Sequence, residues 1–154
     1  MLAINWLIII FIFFITFTCC GWRPLFEISN AYDAVYAWFD YLKSKGHFVV
    51  GYVIMPNHVH VLIATLESHS LSSILHSWKS FTATSANKLL GRTGTFWERE
   101  YFERRIRSQR HFDFAVRYIL NNPVKAGLCQ QFYQYRWTGF SEDAGEIMKR
   151  SYLS

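Results

Sequence analysis

At 154 residues the chain is most simply one domain, long enough to bury a real core. Lys and Arg outnumber Asp and Glu by 16 to 11, and 19% of residues are aromatic, a balance that suits a nucleic-acid surface pairing phosphates with cations and bases with rings. The cysteines, Cys19, Cys20 and Cys129, contain no Cys-x-x-Cys pair, which argues against a disulfide scaffold and for a reduced, cytoplasmic setting.

From Met1 to Trp22 there is no charged side chain, and Trp6 to Phe17 is almost wholly Ile, Phe and Leu. The run reaches the lower end of a membrane span, about 20 residues. No Lys or Arg precedes it and no small-x-small site follows, which argues against a signal peptide. Its residues are strand formers, and Phe14, Thr16 and Thr18 alternate with Phe13, Ile15 and Phe17. A core strand is therefore expected, with residues 1–12 an apolar N-terminal extension; a membrane anchor is the alternative.

After Gly21-Trp-Arg-Pro24 the period becomes helical. Between Ile28 and Lys45, Val35, Trp38, Phe39 and Leu42 recur at spacings of three and four, with Lys43 and Lys45 in the last turn and Gly46 as the stop. His47–Met55 and His58–Leu66 then read as two strands joined at Pro56-Asn57. A period of two puts His58, His60 and Leu62 on one face of the second strand and Val59, Val61 and Ile63 on the other. The two imidazoles stand about 7 Å apart along the strand, close enough to lean onto one metal ion.

Ser68–Ser73 is a polar break. Leu71–Leu90 is a second helix, apolar through Leu71, Ile74, Leu75, Trp78 and Leu89. Its other flank carries His76, Lys79, Ser80, Thr84, Asn87 and Lys88, a solvated face or the wall of a nucleic-acid groove. Gly91-Arg-Thr-Gly94 is a loop, too short and wrongly ordered for a phosphate-cradling P-loop. From Phe96 to Arg107 rings alternate with charge, which predicts a strand or paired short strands. Lys79, Trp97, Arg99, Arg104, Arg105 and Arg107 are candidates for gripping phosphates and stacking bases; the plain alternative is an edge strand with solvated arginines.

His111–Asn122 reads as a third helix that stops before Pro123, with Tyr118 and Asn122 four apart on one face. A helical tyrosine is usually a packed ring. The acidic-polar stretch 141–154 reads as a tail, leaving 13–140 as the domain.

Several segments in combination change the weight of that tyrosine. Gly51-Tyr-Val-Ile-Met-Pro-Asn-His-Val-His60, Phe96-Trp97, Tyr101-Phe-Glu-Arg104, Arg107 and Tyr118-Ile-Leu-Asn-Asn122-Pro-Val-Lys-Ala-Gly-Leu128 together resemble the REP-associated tyrosine transposases. These are bacterial relatives of the single-tyrosine HUH transposases in the IS200-like superfamily. The likeness begins near Phe13, where Ile15-Thr-Phe-Thr18 and Trp22-Arg-Pro-Leu-Phe26 look like the family's first strand and its exit, and extends to Trp137. The apolar leader Leu2–Ile10 departs from the family's short polar one.

The resemblance implies a ferredoxin-like α+β HUH domain, a central antiparallel sheet with packed helices and the His-x-His pair on a middle strand. It implies metal-dependent cleavage and rejoining of single-stranded DNA through a 5′-phosphotyrosine. Carried over by position, His58, His60 and Asn122 would be ligands of Mg²⁺ or Mn²⁺, and Tyr118 the nucleophile. The implied partners are single-stranded DNA and hairpins of extragenic palindromic repeats, with the protein a monomer or homodimer. A divalent ion suits the chemistry because it offsets the phosphodiester charge that repels a nucleophile. For the general base, His76 and His111 are candidates by residue type alone. Tyr133 and Tyr135 lack a ligand-type residue four positions on and read as packing or stacking rings. The rival readings are a DNA-hairpin-binding module without catalysis and a membrane-anchored protein with an incidental His pair.

Overall fold

A computed structural model describes residues 10–27, 31–66 and 71–144. Along the chain run β1 (Ile10–Thr18), a 3₁₀ turn at Cys20–Trp22, α1 (Tyr32–Ser44), β2 (Phe48–Met55), β3 (His58–Leu66), α2 (Leu71–Leu90), β4 (Phe102–Ile106), α3 (Gln109–Lys125), a 3₁₀ turn at Phe132–Gln134 and β5 (Thr138–Phe140). The strands form one sheet in the order β4–β1–β3–β2–β5, and every described pairing is antiparallel. The first four strands with α1 and α2 make the β-α-β-β-α-β order of a ferredoxin-like α+β domain.

Both faces of the sheet are covered, which explains why β1 is apolar at every position but Thr16 and Thr18. On one face Ile15, Phe17, Val59, Val61 and Ile63 pack with Val35, Trp38 and Leu42 of α1 and Ile74, Leu75 and Trp78 of α2. On the other, Ile12, Val53, Met55 and Leu62 pack with Phe112, Ala115 and Ile119 of α3. The alternation read from the sequence is therefore real: β1 lies between β3 and β4, with Phe14 and Thr16 on the α3 side. No helix among the described residues is long and apolar enough to cross a membrane.

Several boundaries differ from the sequence reading. Ile10, Phe11 and Ile12, placed in the extension, already pair in the sheet, with Ile10 and Ile12 buried; residues 1–9 lie outside the described residues. The strand expected over 96–107 shrinks to Phe102–Ile106. Its start is diverted because Phe96 and Trp97 enter the core beside Phe17, Phe26 and Trp78. Helix α3 continues through Pro123 to Lys125. A proline lacks its own N–H, but only the last turn remains beyond Pro123, and that turn is closed by Ala126 N donating to Asn122 O (3.0 Å) and Leu128 N to Pro123 O (2.9 Å). The start of α3 is capped by Ser108, whose hydroxyl accepts from His111 N at 3.1 Å.

Strand β5 was not foreseen, since three residues carry no readable period. It docks on β2 with Gly51 opposite Phe140, where a side-chain Cβ on residue 51 would overlap the Phe140 ring.

Candidate active site

The candidate site residues meet between β3 and α3. In register, His60 lies opposite Thr16 of β1 and Val53 of β2, and His58 lies opposite Thr18 and Met55. The Pro56-Asn57 turn is pinned to the exit of β1: Asn57 O accepts from Cys19 N at 2.8 Å and Pro56 O from Phe26 N at 3.1 Å. That anchoring fixes Asn57, whose Oδ1 lies 2.6 Å from His58 Nδ1. On the second imidazole, Thr16 Oγ1 lies 2.7 Å from His60 Nδ1. Taking Asn57 Oδ1 and Thr16 Oγ1 as the acceptors assigns the proton to Nδ1 in each ring and leaves the Nε2 lone pair facing forward. This is the outer-shell arrangement that orients metal-binding histidines.

Both Nε2 atoms point at Asn122, with His58 Nε2 3.3 Å from Asn122 Oδ1 and Asn122 Nδ2 3.3 Å from His60 Nε2. The ring centroids of the histidines are 4.7 Å apart. Burial pushes both histidines toward the neutral form: His58 titrates below its ordinary value, with the Asn122 contact opposing the shift, and His60 is pushed down to about 3 by burial and by neighbouring His58. In that tautomer His58 Nε2 and Asn122 Oδ1 are both acceptors, which a shared cation would satisfy; in the other the ring donates to the amide. Two imidazole nitrogens and one amide oxygen fit Mn²⁺, and Mg²⁺ when other oxygens complete the shell. Among the described residues no three His, Cys, Asp or Glu side chains form a metal cluster, so a third protein donor beside His58 and His60 would have to be the Asn122 amide.

Tyr118 sits one helical turn before Asn122, 42% exposed. Its ring lies edge-on to His60 (centroids 5.0 Å) and Phe14 (5.9 Å) and is stacked with Phe114 (6.3 Å). Phe14 also stacks on His60 at 5.5 Å. The phenol is thus held against the paired histidines and still open to solvent.

The six candidate DNA contacts separate. Trp97 must be withdrawn: it is 4% exposed, and its Nε1–H donates to the buried Thr82 Oγ1 at 2.9 Å, so it cannot meet a base. Lys79 is engaged as a strap, its ammonium donating to Glu98 O (3.3 Å) and Arg99 O and lying over the Tyr101 ring (5.3 Å). Arg104 pairs opposite Phe14, so its side chain shares the site face, near exposed Phe102. Arg105 points to the other face, over Phe11 at 4.2 Å. Arg99 and Arg107 are exposed, the latter just past the end of β4.

Neither histidine considered as a base lies beside Tyr118. His76 is exposed on α2, which covers the opposite face of the sheet, and His111 is seven residues, ~10.5 Å, up α3. Tyr135 donates from its hydroxyl to Ile54 O at 2.7 Å, a packing role, while Tyr133 is exposed. Sequence reasoning left out Thr16, Asn57, Phe14 and Phe114. The polar Thr16 inside an apolar strand, at the parity of the site face, was the available signal; its register against His60 was not.

The fold is thus a ferredoxin-like α+β sheet with a His-x-His pair on a middle strand, beneath a helix bearing Tyr and Asn. The chain belongs to the IS200-like transposases: the family described as "Transposase IS200 like" matches over residues 22–122. Among solved structures it is similar to a REP-associated tyrosine transposase bound to a REP hairpin, at 19% identity over 96% of this chain and 88% of that one, TM-score 0.74. It is also similar to a protein from Deinococcus radiodurans R1 assigned as a transposase, at 17% identity over 79% of this chain and 97% of that one, TM-score 0.56. At these identities the likeness establishes a common fold. No curated protein gives a significant match to the chain.

Proposed function

We propose that this transposase is a metal-dependent single-strand DNA endonuclease and strand transferase that cuts and rejoins DNA at palindromic hairpin repeats, with Tyr118 forming a 5′-phosphotyrosine. The observation that carries the reading is the convergence of His58 Nε2, His60 Nε2 and the Asn122 amide beside the Tyr118 ring. A buried hairpin strand and a helix far apart in sequence deliver these groups to one place, beside a tyrosine ring that stays open to solvent.

In the forward step the Tyr118 oxygen attacks the scissile phosphorus, the phenolic proton is lost, and the P–O3′ bond breaks as the departing 3′-oxygen takes up a proton. The strand's 5′ phosphate is left esterified to Tyr118. In the reverse step a 3′-hydroxyl attacks that phosphorus and Tyr118 leaves, so rejoining needs no nucleotide cofactor. His58, His60 and Asn122 would hold Mg²⁺ or Mn²⁺. When bound, the ion offsets phosphate charge and polarises the phosphoryl oxygen. Phe14 and Phe114 fix the phenol's orientation, which lowers the entropic cost of attack. Phe102 and Arg104 on the site face supply a stacking ring and a phosphate grip for the strand, with Arg99 and Arg107 at the margins. The hairpin in the similar REP-associated structure supports a hairpin substrate.

The test mixes the protein with single-stranded oligonucleotides from palindromes flanking its gene, with Mn²⁺, beside Tyr118→Phe. A metal-dependent covalent adduct that the variant cannot form is the expected result. Equal hairpin binding by both proteins, with no adduct, would mean a binding module without catalysis.

A further inference from the structure

The exit of β1 carries a feature the cleavage chemistry does not use. Trp22 is 65% exposed and has φ +56°, a left-handed backbone that is rare for a bulky side chain; Gly21 before it has φ +65°. The neighbouring 96–98 segment holds this conformation in place. Gly21 N donates to Glu98 Oε1 at 2.6 Å, Trp22 N to Cys19 O at 2.9 Å, Cys20 N to Phe96 O at 2.8 Å and Glu98 N to Thr18 O at 2.8 Å. The indole stays outside the core and forms one wall of a cleft of ≈ 440 Å³, completed by Thr18, Glu98, Arg99 and Glu100. Thr18 stands opposite His58 in the sheet, so the cleft opens next to the paired histidines.

Its chemistry suits a base better than a phosphate. An exposed indole offers a stacking face; of the charged lining, the Glu98 and Glu100 carboxylates repel phosphate oxygens, and the single Arg99 guanidinium offsets only one of them. A carboxylate is acceptor-only, and guanine alone presents two adjacent donors, N1–H and N2–H, on its Watson–Crick edge. Thymine offers one N–H between two carbonyl oxygens that the carboxylate repels. We propose that this cleft takes a single unpaired base next to the scissile phosphate, stacked on Trp22, with guanine favoured and thymine rejected through Glu98 and Glu100. The inference rests on the single-strand reading above and names the nucleotide recognised beside that site.

Two readouts separate it from cleavage. In the first, dGMP and dTMP are titrated into the full chain and the indole N–H resonances followed by NMR, the Trp22 signal being assigned with Trp22→Phe. The expected result is that dGMP moves that signal at concentrations at least tenfold below dTMP, and that Glu100→Gln narrows the difference. An unmoved Trp22 signal, or equal response to both nucleotides, would overturn the proposal. In the second, abasic sites are scanned through a bound oligonucleotide. One position should weaken binding tenfold or more in the natural protein and be without effect in Trp22→Ala; an identical scan in both proteins would overturn it. If dGMP is selected but no DNA is cut, the cleft stands and the cleavage reading falls. If Trp22→Ala cuts with unchanged base preference, the cleavage reading stands and the cleft falls.

Discussion

Thr16 is the most informative residue to perturb, because its hydroxyl touches only the back of an imidazole. Thr16→Val keeps the β-branched shape and the strand preference of β1 while removing the acceptor 2.7 Å from His60 Nδ1. His60 is 4% exposed, so water cannot readily replace that partner. One outcome is an unsatisfied buried N–H, costing about 1–3 kcal/mol. The other is a shift of the proton to Nε2, which blocks the lone pair aimed at Asn122. Loss of such an orienting partner lowers metal affinity about 10–100-fold, or roughly 1.4–2.7 kcal/mol. The assay is adduct formation as a function of Mn²⁺, with calorimetric titration of the same ion. We expect the Mn²⁺ dependence to move by that factor, with the saturated rate largely recovered, and Thr16→Ser to remain near the natural protein. An unchanged Mn²⁺ dependence in Thr16→Val, or equal damage in Thr16→Ser, would refute the orienting role.

Three further outcomes follow from the same geometry. Because burial holds the folded-state value of His60 near 3, against ~6.5 when unfolded, the unfolded chain binds more protons between these limits. The associated stability is complete above pH ~6.5 and is lost as pH falls toward 3, by up to roughly 1.4 kcal/mol per unit. Denaturant titrations of metal-free protein should show this slope, and His60→Gln should flatten it; an equal slope in the variant would count against a buried neutral imidazole. Trp97→Ala should destabilise the fold by about 3–5 kcal/mol through lost core packing, whereas Phe102→Ala should change stability little and weaken single-strand binding by about 1–3 kcal/mol per lost stack. Reversal of that pattern would restore Trp97 as the base contact. Gly51→Ala should cost about 1–3 kcal/mol, read as a lower melting temperature, because the new methyl group meets the Phe140 ring; an unchanged midpoint would show that β5 yields freely.

Much of this was legible in the sequence because it is written in periods. The alternation of His58 and His60 against Val59 and Val61 fixed the site face, and Leu71–Leu90 matched α2 at both ends. The spacing of Tyr118 and Asn122 put the two on one helical face; only the resemblance tied that face to the histidines, beside which the structure sets it. What escaped depends on pairing between distant segments. Trp97 looks like Phe102 in an alternating run, yet the one bridges to Cys19 in the core and the other sits at the exposed end of β4. Thr16 and Asn57 gain meaning only from register and from a pinned turn. Pro123 misled because a local steric rule weighs little where only the last helical turn remains.

The most direct test of the central claim is to trap the covalent adduct, digest it with trypsin and locate the attached nucleotide by mass spectrometry. The account predicts a 5′-phosphonucleotide on Tyr118, in the segment 118–125 between Arg117 and Ala126. Attachment to Tyr101, Tyr133 or any other residue, or strand cleavage that proceeds without an adduct, would contradict it.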